Sequence, residues 1–319
     1  MYETSTQKRY WTFSDENELK IKREAANQRY VEKNKDIEDW KDKLLTPSEE
    51  RTLLSVYGLN LREFCKRFTP PMPKAVVGTA FHYFKRFYVN NTVMDYHPKE
   101  ILVTAAYLAC KVEEFNVSIN QFVANIQGDR DKCAEIILNS ELLIMEKMNF
   151  HLTVHNPYRP IEGLLIDLKT RSGLVQPERL RASIEDLVDK LFLTDACLLY
   201  APSLLALAAV IHSASKLQEN VDSYVTDTLL GPANQKKLPR VIEAVRNIRS
   251  LVKSIEFPKK EYVKALEARL LVCRNQVNNP DSSIYRDRIL KSLNEEDIGR
   301  PYIRELDKSS LTMLEMSSA

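Results

Sequence analysis

The sequence predicts an all-α protein, and three observations carry that reading. Glycine is scarce, with seven residues in 319, and strand-rich folds need more turn residues than this. Apolar residues recur at spacings of three and four along most of the chain. Prolines stand at the starts of those periodic runs, as at Pro47, Pro98 and Pro202, where a helix tolerates them. With 44% hydrophobic and 28% charged residues there is ample material for packed cores.

The elements follow in order. Ser14, followed by Asp15 and Glu16, reads as the N-cap of a highly charged helix running to about Lys35. Its apolar stripe is thin, Leu19, Ala26 and Tyr30, so it is either a docked surface helix or a partner-binding arm. Pro47 opens a helix that runs to about Phe68 and stops at Pro70-Pro71. The next starts after Pro73, with Val76, Val77, Ala80, Phe81, Phe84, Phe87 and Tyr88 at helical spacing. Pro98 opens a third, to about Val112. A short helix capped by Ser118 reaches about Asn125, and a long one spans about Lys132 to Asn149. Pro157 and Pro160 break the pattern, because two prolines three apart cannot lie inside one helix. Five more helices are predicted at about 160–170, 178–194, 202–216, 221–229 and 236–255. Beyond Pro258 an amphipathic helix covers about 259–275, with a stripe of Val263, Leu266, Leu270 and Cys273.

The two halves repeat. Tyr96-His97-Pro98 opens the third helix of the first half and Tyr200-Ala201-Pro202 the third of the second, an offset of 104 residues. Both helices, ILVTAAYLAC at 101–110 and LLALAAVIHSA at 204–214, are apolar on nearly every face and rich in alanine. Helices of that kind are surrounded by others. The predicted organisation is an N-terminal segment with an amphipathic helix (1–45), two five-helix repeats each around a buried central helix (46–154 and 155–257), a C-terminal helix (258–276) and a polar, mostly disordered tail (277–319) with a short helix near 283–293.

Several function classes are disfavoured. The balance of 46 basic and 44 acidic residues, a net charge of +2, does not suggest a protein that wraps nucleic acid. None of the glycine-rich phosphate loops or nucleophile elbows occurs, so a catalyst and a bound cofactor are not expected. Five scattered cysteines with no C-x-x-C pair fit reduced, buried thiols. The apolar run Leu204 to Ile211 falls far short of the ~20 residues that span a bilayer, and no signal-peptide pattern opens the chain. His151 and His155 sit four apart, but Pro157 follows and no Glu completes H-E-x-x-H, so no metal site is expected. Arg246, Arg249 and Lys253 make a basic stripe that reads as a solvated face rather than a nucleic-acid contact.

The central helix of the first half ends in LACKVEEF (108–115), and the helix before it carries YFKRFY (83–88). Two five-helix repeats, a buried third helix and Lys-x-Glu-Glu at its end resemble the cyclin family over about residues 50–255. YFKRFY, TDACLLYAP (194–202) and HNPYRP (155–160) are similar to its transcription-linked group. MYETSTQKRYWTF, FNVS (115–118) and HLTVHNPYRPIEGLLIDLKTR (151–171) resemble one member in particular.

The resemblance implies a regulatory subunit that binds a cyclin-dependent kinase and repositions its αC helix. The member resembled implies the kinase that phosphorylates activation loops of other such kinases. It further implies a RING-finger assembly factor, the transcription factor IIH core, the RNA polymerase II tail as substrate, and a nuclear location. Carried over residue by residue, the kinase-contacting positions fall on Lys111 and Glu141, with Glu114 lining the contact and Met145, Phe150 and Leu152 as apolar contacts. Charge-assisted bonds from such residues to main-chain groups specify position without reading side chains. On its own, Lys111 at a helix C-terminus is also accounted for as a cation complementing the helix dipole, and Glu141 as a solvated helix charge. Two departures stand out: Lys85 replaces the acid of cell-cycle cyclins, and Ser55–Leu59 lacks the surroundings of their substrate-recruiting patch. Two-repeat initiation factors that bind DNA are the rival class, but they carry a zinc ribbon upstream, and here no cysteine precedes Cys65.

Overall fold

The computed structural model describes residues 2–36, 43–174 and 176–299, and among them every regular element is helical. Among these described residues, those up to Cys273 form one compact unit and those from Arg274 onward a second.

In the first unit a 3-10 turn (Tyr2–Thr4) leads into α1 (Thr6–Tyr10) and then α2 (Glu16–Asn34). Asp15, not Ser14, caps α2: its carboxylate accepts the Glu18 N–H at 2.8 Å. Ser14 instead donates its N–H and hydroxyl to the Glu18 carboxylate, each at 2.9 Å. The expected stripe of α2 is buried at Leu19, Ala26 and Tyr30, and Asn27 joins it by donating to the Leu45 carbonyl at 2.8 Å. The helix is docked, not a free arm.

The first repeat comprises α3 (Pro47–Arg67), α4 (Lys74–Asn90), α5 (Pro98–Val112), α6 (Ile119–Val123) and α7 (Arg130–Lys147). Thr46 with Glu49, and Ser118 with Gln121, form reciprocal capping boxes on α3 and α6. Asp129 caps α7, so that helix begins before Lys132. Ten of the fifteen residues of α5 are buried, because α3, α4 and α7 all pack on it. The aromatic run of α4 is core: Phe81, Tyr83, Phe84, Phe87 and Tyr88 are all buried. At Gly78 on the same helix a Cβ would collide with Asn156 and Phe192, so glycine lets α4 approach the second half closely.

The second repeat comprises α8 (Tyr158–Arg171), α9 (Arg181–Leu191), the one-turn α10 (Ala196–Leu199), α11 (Pro202–Lys216), the short α12 (Gly231–Asn234) and α13 (Leu238–Lys253). The helix expected at 221–229 is instead a π-helical segment, Tyr224–Leu229. Nine of the fifteen residues of α11 are buried among α8, α9 and α13. Next, α14 (Lys260–Cys273) buries Leu266, Leu270 and Cys273 and packs on α3. The Tyr30 hydroxyl donates to the Cys273 carbonyl at 2.8 Å, which joins the two helices flanking the repeats. Of the five free cysteines, four are buried, and burial pushes the Cys65 and Cys110 thiols up to about 12.

One feature is absent from the sequence reading. Residues 2–13 form a strap across the inter-repeat linker. Gln7 brackets His155, accepting its N–H at 2.6 Å and donating to its carbonyl at 3.3 Å. Trp11 Nε1 donates to His151 Nδ1 at 3.2 Å, and the Phe13 N–H donates to the Leu198 carbonyl at 2.8 Å.

In the second unit Ser282 caps α15 (Ser283–Gly299), its hydroxyl accepting the Tyr285 N–H at 3.1 Å. The short helix expected near 283–293 is present and longer, Ser283–Gly299. The rest of the tail expected to be disordered, 300–319, lies outside the described residues.

Candidate functional site

The positions singled out around α5 and α7 come together on one face. Lys111 closes α5, where its charge suits the negative end of the helix dipole. Glu141 lies mid-way along α7. The two, read separately from the sequence, form one ion pair: Lys111 Nζ is 2.6 Å from Glu141 Oε1. The lysine half of the pair is half exposed, while the Glu141 side chain is 13% exposed. The ammonium also lies 5.5 Å from the centroid of the Tyr107 ring, a cation–π geometry.

The two acids after Lys111 diverge. Glu113 turns inward and accepts a bond from the Thr79 hydroxyl at 2.6 Å, so it is a tie between α5 and α4 rather than a surface acid. Glu114 is exposed in the turn with φ of 57°, a left-handed conformation that L-residues adopt at a cost.

Helix α7 carries two apolar stripes. Ile137, Ile144 and Met148 are fully buried against α5 and its neighbours. Leu138, Leu142 and Met145 lie about 100° around the helix at spacings of four and three, and Leu138 and Leu142 are 50% and 54% exposed. Glu141 sits between the stripes. Met145 and Leu152 are half-buried against the core. Phe150 is 58% exposed, and with Asn149 it makes two consecutive left-handed residues, φ of 51° and 56°. Strained backbone of this kind gathers at functional surfaces, and here it turns an aromatic ring outward. Leu138 and Leu142 were not picked out from the sequence; the signal was their register with Met145, masked because the buried stripe gives α7 apolar residues on a second side.

A second cluster joins the halves. Asp195, just before α10, is gripped by Arg23 of α2 through two bonds of 2.7 and 2.9 Å, and Lys85 of α4 lies 3.7 Å away. Burial alone would raise the Asp195 carboxyl's pKa, but the Arg23 charge and hydrogen bonds, with Lys85 behind them, hold it far below the usual carboxylate range. Beside the cluster lies a cleft of about 350 Å³ lined by Ser55, Gly58, Phe84, Lys85, Leu193 and Asp195.

The family model for the cyclin N-terminal domain matches residues 17–153, and that for the cyclin C-terminal domain matches residues 156–253. The chain belongs to the cyclin family. Among its relatives, Cyclin-H of Xenopus laevis is 45% identical over 284 residues, covering 86% of this chain and 87% of that protein. Cyclin-H1-1 of Arabidopsis thaliana is 32% identical over 317 residues, covering 90% and 92%. Among solved structures, a chain of the CAK complex of Chaetomium thermophilum bound to ATP-γ-S superposes with a TM-score of 0.75 at 25% identity, covering 94% of this chain and 95% of that one. A chain of the yeast TFIIK (Kin28/Ccl1/Tfb3) complex shares the fold with a TM-score of 0.59 at 23% identity, covering 79% and 100%.

The α5–α7 face therefore belongs to the first cyclin box, and Lys85 belongs to a tie between the boxes. Lys85, the cation singled out in the sequence, faces an acid of the second box, Asp195. The cleft beside that tie contains Ser55 and Gly58 of the Ser55–Leu59 stretch. Among the described residues no group of His, Cys, Asp and Glu could hold a metal ion, and no helix is long and apolar enough to cross a membrane.

Proposed function

We propose that this cyclin is the regulatory subunit of a CDK-activating kinase, which also acts within transcription factor IIH on the RNA polymerase II tail. The observation that carries the reading is the Lys111–Glu141 pair flanked by the exposed Leu138, Leu142 and Phe150. A charged pair inside an apolar rim suits a partner helix whose end presents main-chain donors and acceptors: the apolar side chains bury against the helix while the charges fix its register. On the kinase that helix is αC, and holding it inward completes the Lys–Glu ion pair that aligns ATP. Glu114, Met145 and Leu152 complete the contact.

The chain is a regulator and not itself a catalyst. Its further partners are a RING-finger assembly factor and the transcription factor IIH core, its location is the nucleus, and it contacts nucleic acid only through that assembly. The regulatory role is supported by the names of its relatives and by the chain of the CAK complex that shares its fold.

The test is binding of the purified kinase to Lys111→Ala and Glu141→Ala variants. Removing one partner of a hydrogen-bonded interfacial charge pair costs about 2–5 kcal/mol, so affinity should fall by roughly 30-fold or more. Melting temperatures should stay near that of the parent chain. Binding within about twofold of the parent would assign the pair to the fold alone.

A further inference from the structure

We propose that His212, Lys216 and Arg249, on α11 and α13 of the second box, form a binding site for a phosphorylated serine or threonine of a protein partner. His212 and Lys216 are one turn apart on α11 and share a face. Arg249 reaches the same point from α13, its Nε–H donating to His212 Nδ1 at 3.4 Å. With Nδ1 accepting, the neutral imidazole carries its proton on Nε2, on the side of the ring away from Arg249 Nε, and so adds a donor to those of the guanidinium and ammonium. A ring N–H, a guanidinium and an ammonium from two helices, clustered around one half-buried ring, suit a tetrahedral dianion.

Neither cation is ion-paired, although Arg249 holds His212 and Lys216 attracts Asp186. Among the described residues neither Arg249 nor Lys216 has a carboxylate within ion-pair distance. The acid on neighbouring α9, Asp186, is engaged by Lys190 at 2.8 Å. The local field agrees with that geometry: burial, then Arg249, Lys216 and Lys190, depress the His212 pKa, and Asp186 opposes them only weakly. Lys216 in the last turn of α11 also complements the helix dipole, but this accounts neither for Arg249 nor for the ring between them. Arg246 and Lys253, three before and four after Arg249, extend the charge along α13 and suit a peptide with a second phosphate.

The chemistry favours a phosphopeptide over nucleic acid because the basic cluster is confined to α11 and α13 and the whole chain carries only +2, too little to follow a long backbone. That the natural peptide is a product of the partner kinase, held near the active site for further phosphorylation, rests on the function proposed above; the site itself does not.

The experiment is a fluorescence-polarisation titration of the full chain, without kinase, against a Ser-Pro peptide carrying two phosphoserines and its unphosphorylated twin. The phosphorylated form should bind at least about tenfold tighter, and Arg249→Gln with Lys216→Gln should remove at least about tenfold of that affinity. Lys216→Gln alone, at an exposed position, should lower it without disturbing the fold, and the distant Lys169→Gln should not. The His212 ring should titrate at higher pH when the phosphopeptide is bound, read by nitrogen NMR. Equal binding of the two peptides, or an unaffected double variant, would overturn the site. Tighter binding of single-stranded RNA through the same two cations would reassign it to nucleic acid and likewise overturn the proposal. Kinase activation by the double variant, measured separately on a short unphosphorylated substrate, tests the function proposed above and not this site.

Discussion

Glu50 is buried on α3 and meets only neutral donors, the Thr92 hydroxyl, Asn27 and the Val93 N–H. Burial outweighs those bonds and raises its pKa from 4.5 to about 7. An acid raised in the folded state favours folding in its protonated form. Its contribution is complete below the ordinary carboxylate range, and it is lost as pH climbs from there toward 7. The loss over that window is on the order of 3 kcal/mol. We therefore expect denaturant unfolding of the parent chain to lose stability between pH 5 and pH 8 relative to Glu50→Gln, which keeps the shape and cannot ionise. Parallel curves for the two proteins across that range would mean that Glu50 is charged throughout. Taking the difference is necessary because His82, His155 and His212, all depressed chiefly by burial, change stability in the opposite sense at lower pH.

At the scale of elements, α2 and α14 are held by few but costly contacts. The Asp195 side chain is only 15% exposed, and Arg23 of α2 is its bidentate partner. Arg23→Met leaves that carboxylate with Lys85 alone, and orphaning a buried charge costs about 3–5 kcal/mol. Arg23→Met with Asp195→Asn removes the orphan, so the double variant should be the more stable of the two in thermal melts. A single variant no worse than the double would show the pair to be solvated. Native-state hydrogen exchange gives a second check. The amides around Tyr30 and Leu270 should open with energies above ~2 kcal/mol in the free chain, since both side chains are buried. Exchange at the rate of an unfolded peptide would refute docking. The stripes of these helices were legible in the sequence, as were the proline-led starts of α3, α5 and α11, because helix periodicity and capping are local. What those stripes face was not legible. Lys111 and Glu141 are 30 residues apart and Arg23 and Asp195 are 172 apart. Pairings at that range depend on how helices cross, and no spacing encodes this. The π-helical Tyr224–Leu229 escaped for a related reason: its apolar pattern suits either winding, and packing decides.

Across residues 2–273 the two boxes are not merely adjacent. α4 belongs to the first box by sequence, yet its Phe81 stacks on Phe192 of the second at 5.6 Å, and its Arg86 donates to the linker carbonyl of His151 at 2.9 Å. The internal repeat was readable because both central helices are apolar all round. The coupling between repeats was hidden, since a residue buried by its own box and one buried by the other look alike in sequence. The strap of residues 2–13 carries this furthest, and its consequence lies in the order of synthesis. Gln7 and His155 are 148 residues apart, and translation adds roughly 5–20 residues each second. Residues 2–13 thus emerge from the ribosome many seconds before the linker that holds them. During that interval Trp11 lacks His151 and Phe13 lacks Leu198, the partners that hold the strap, so aromatic side chains of the nascent first box stay available to a chaperone that binds such segments.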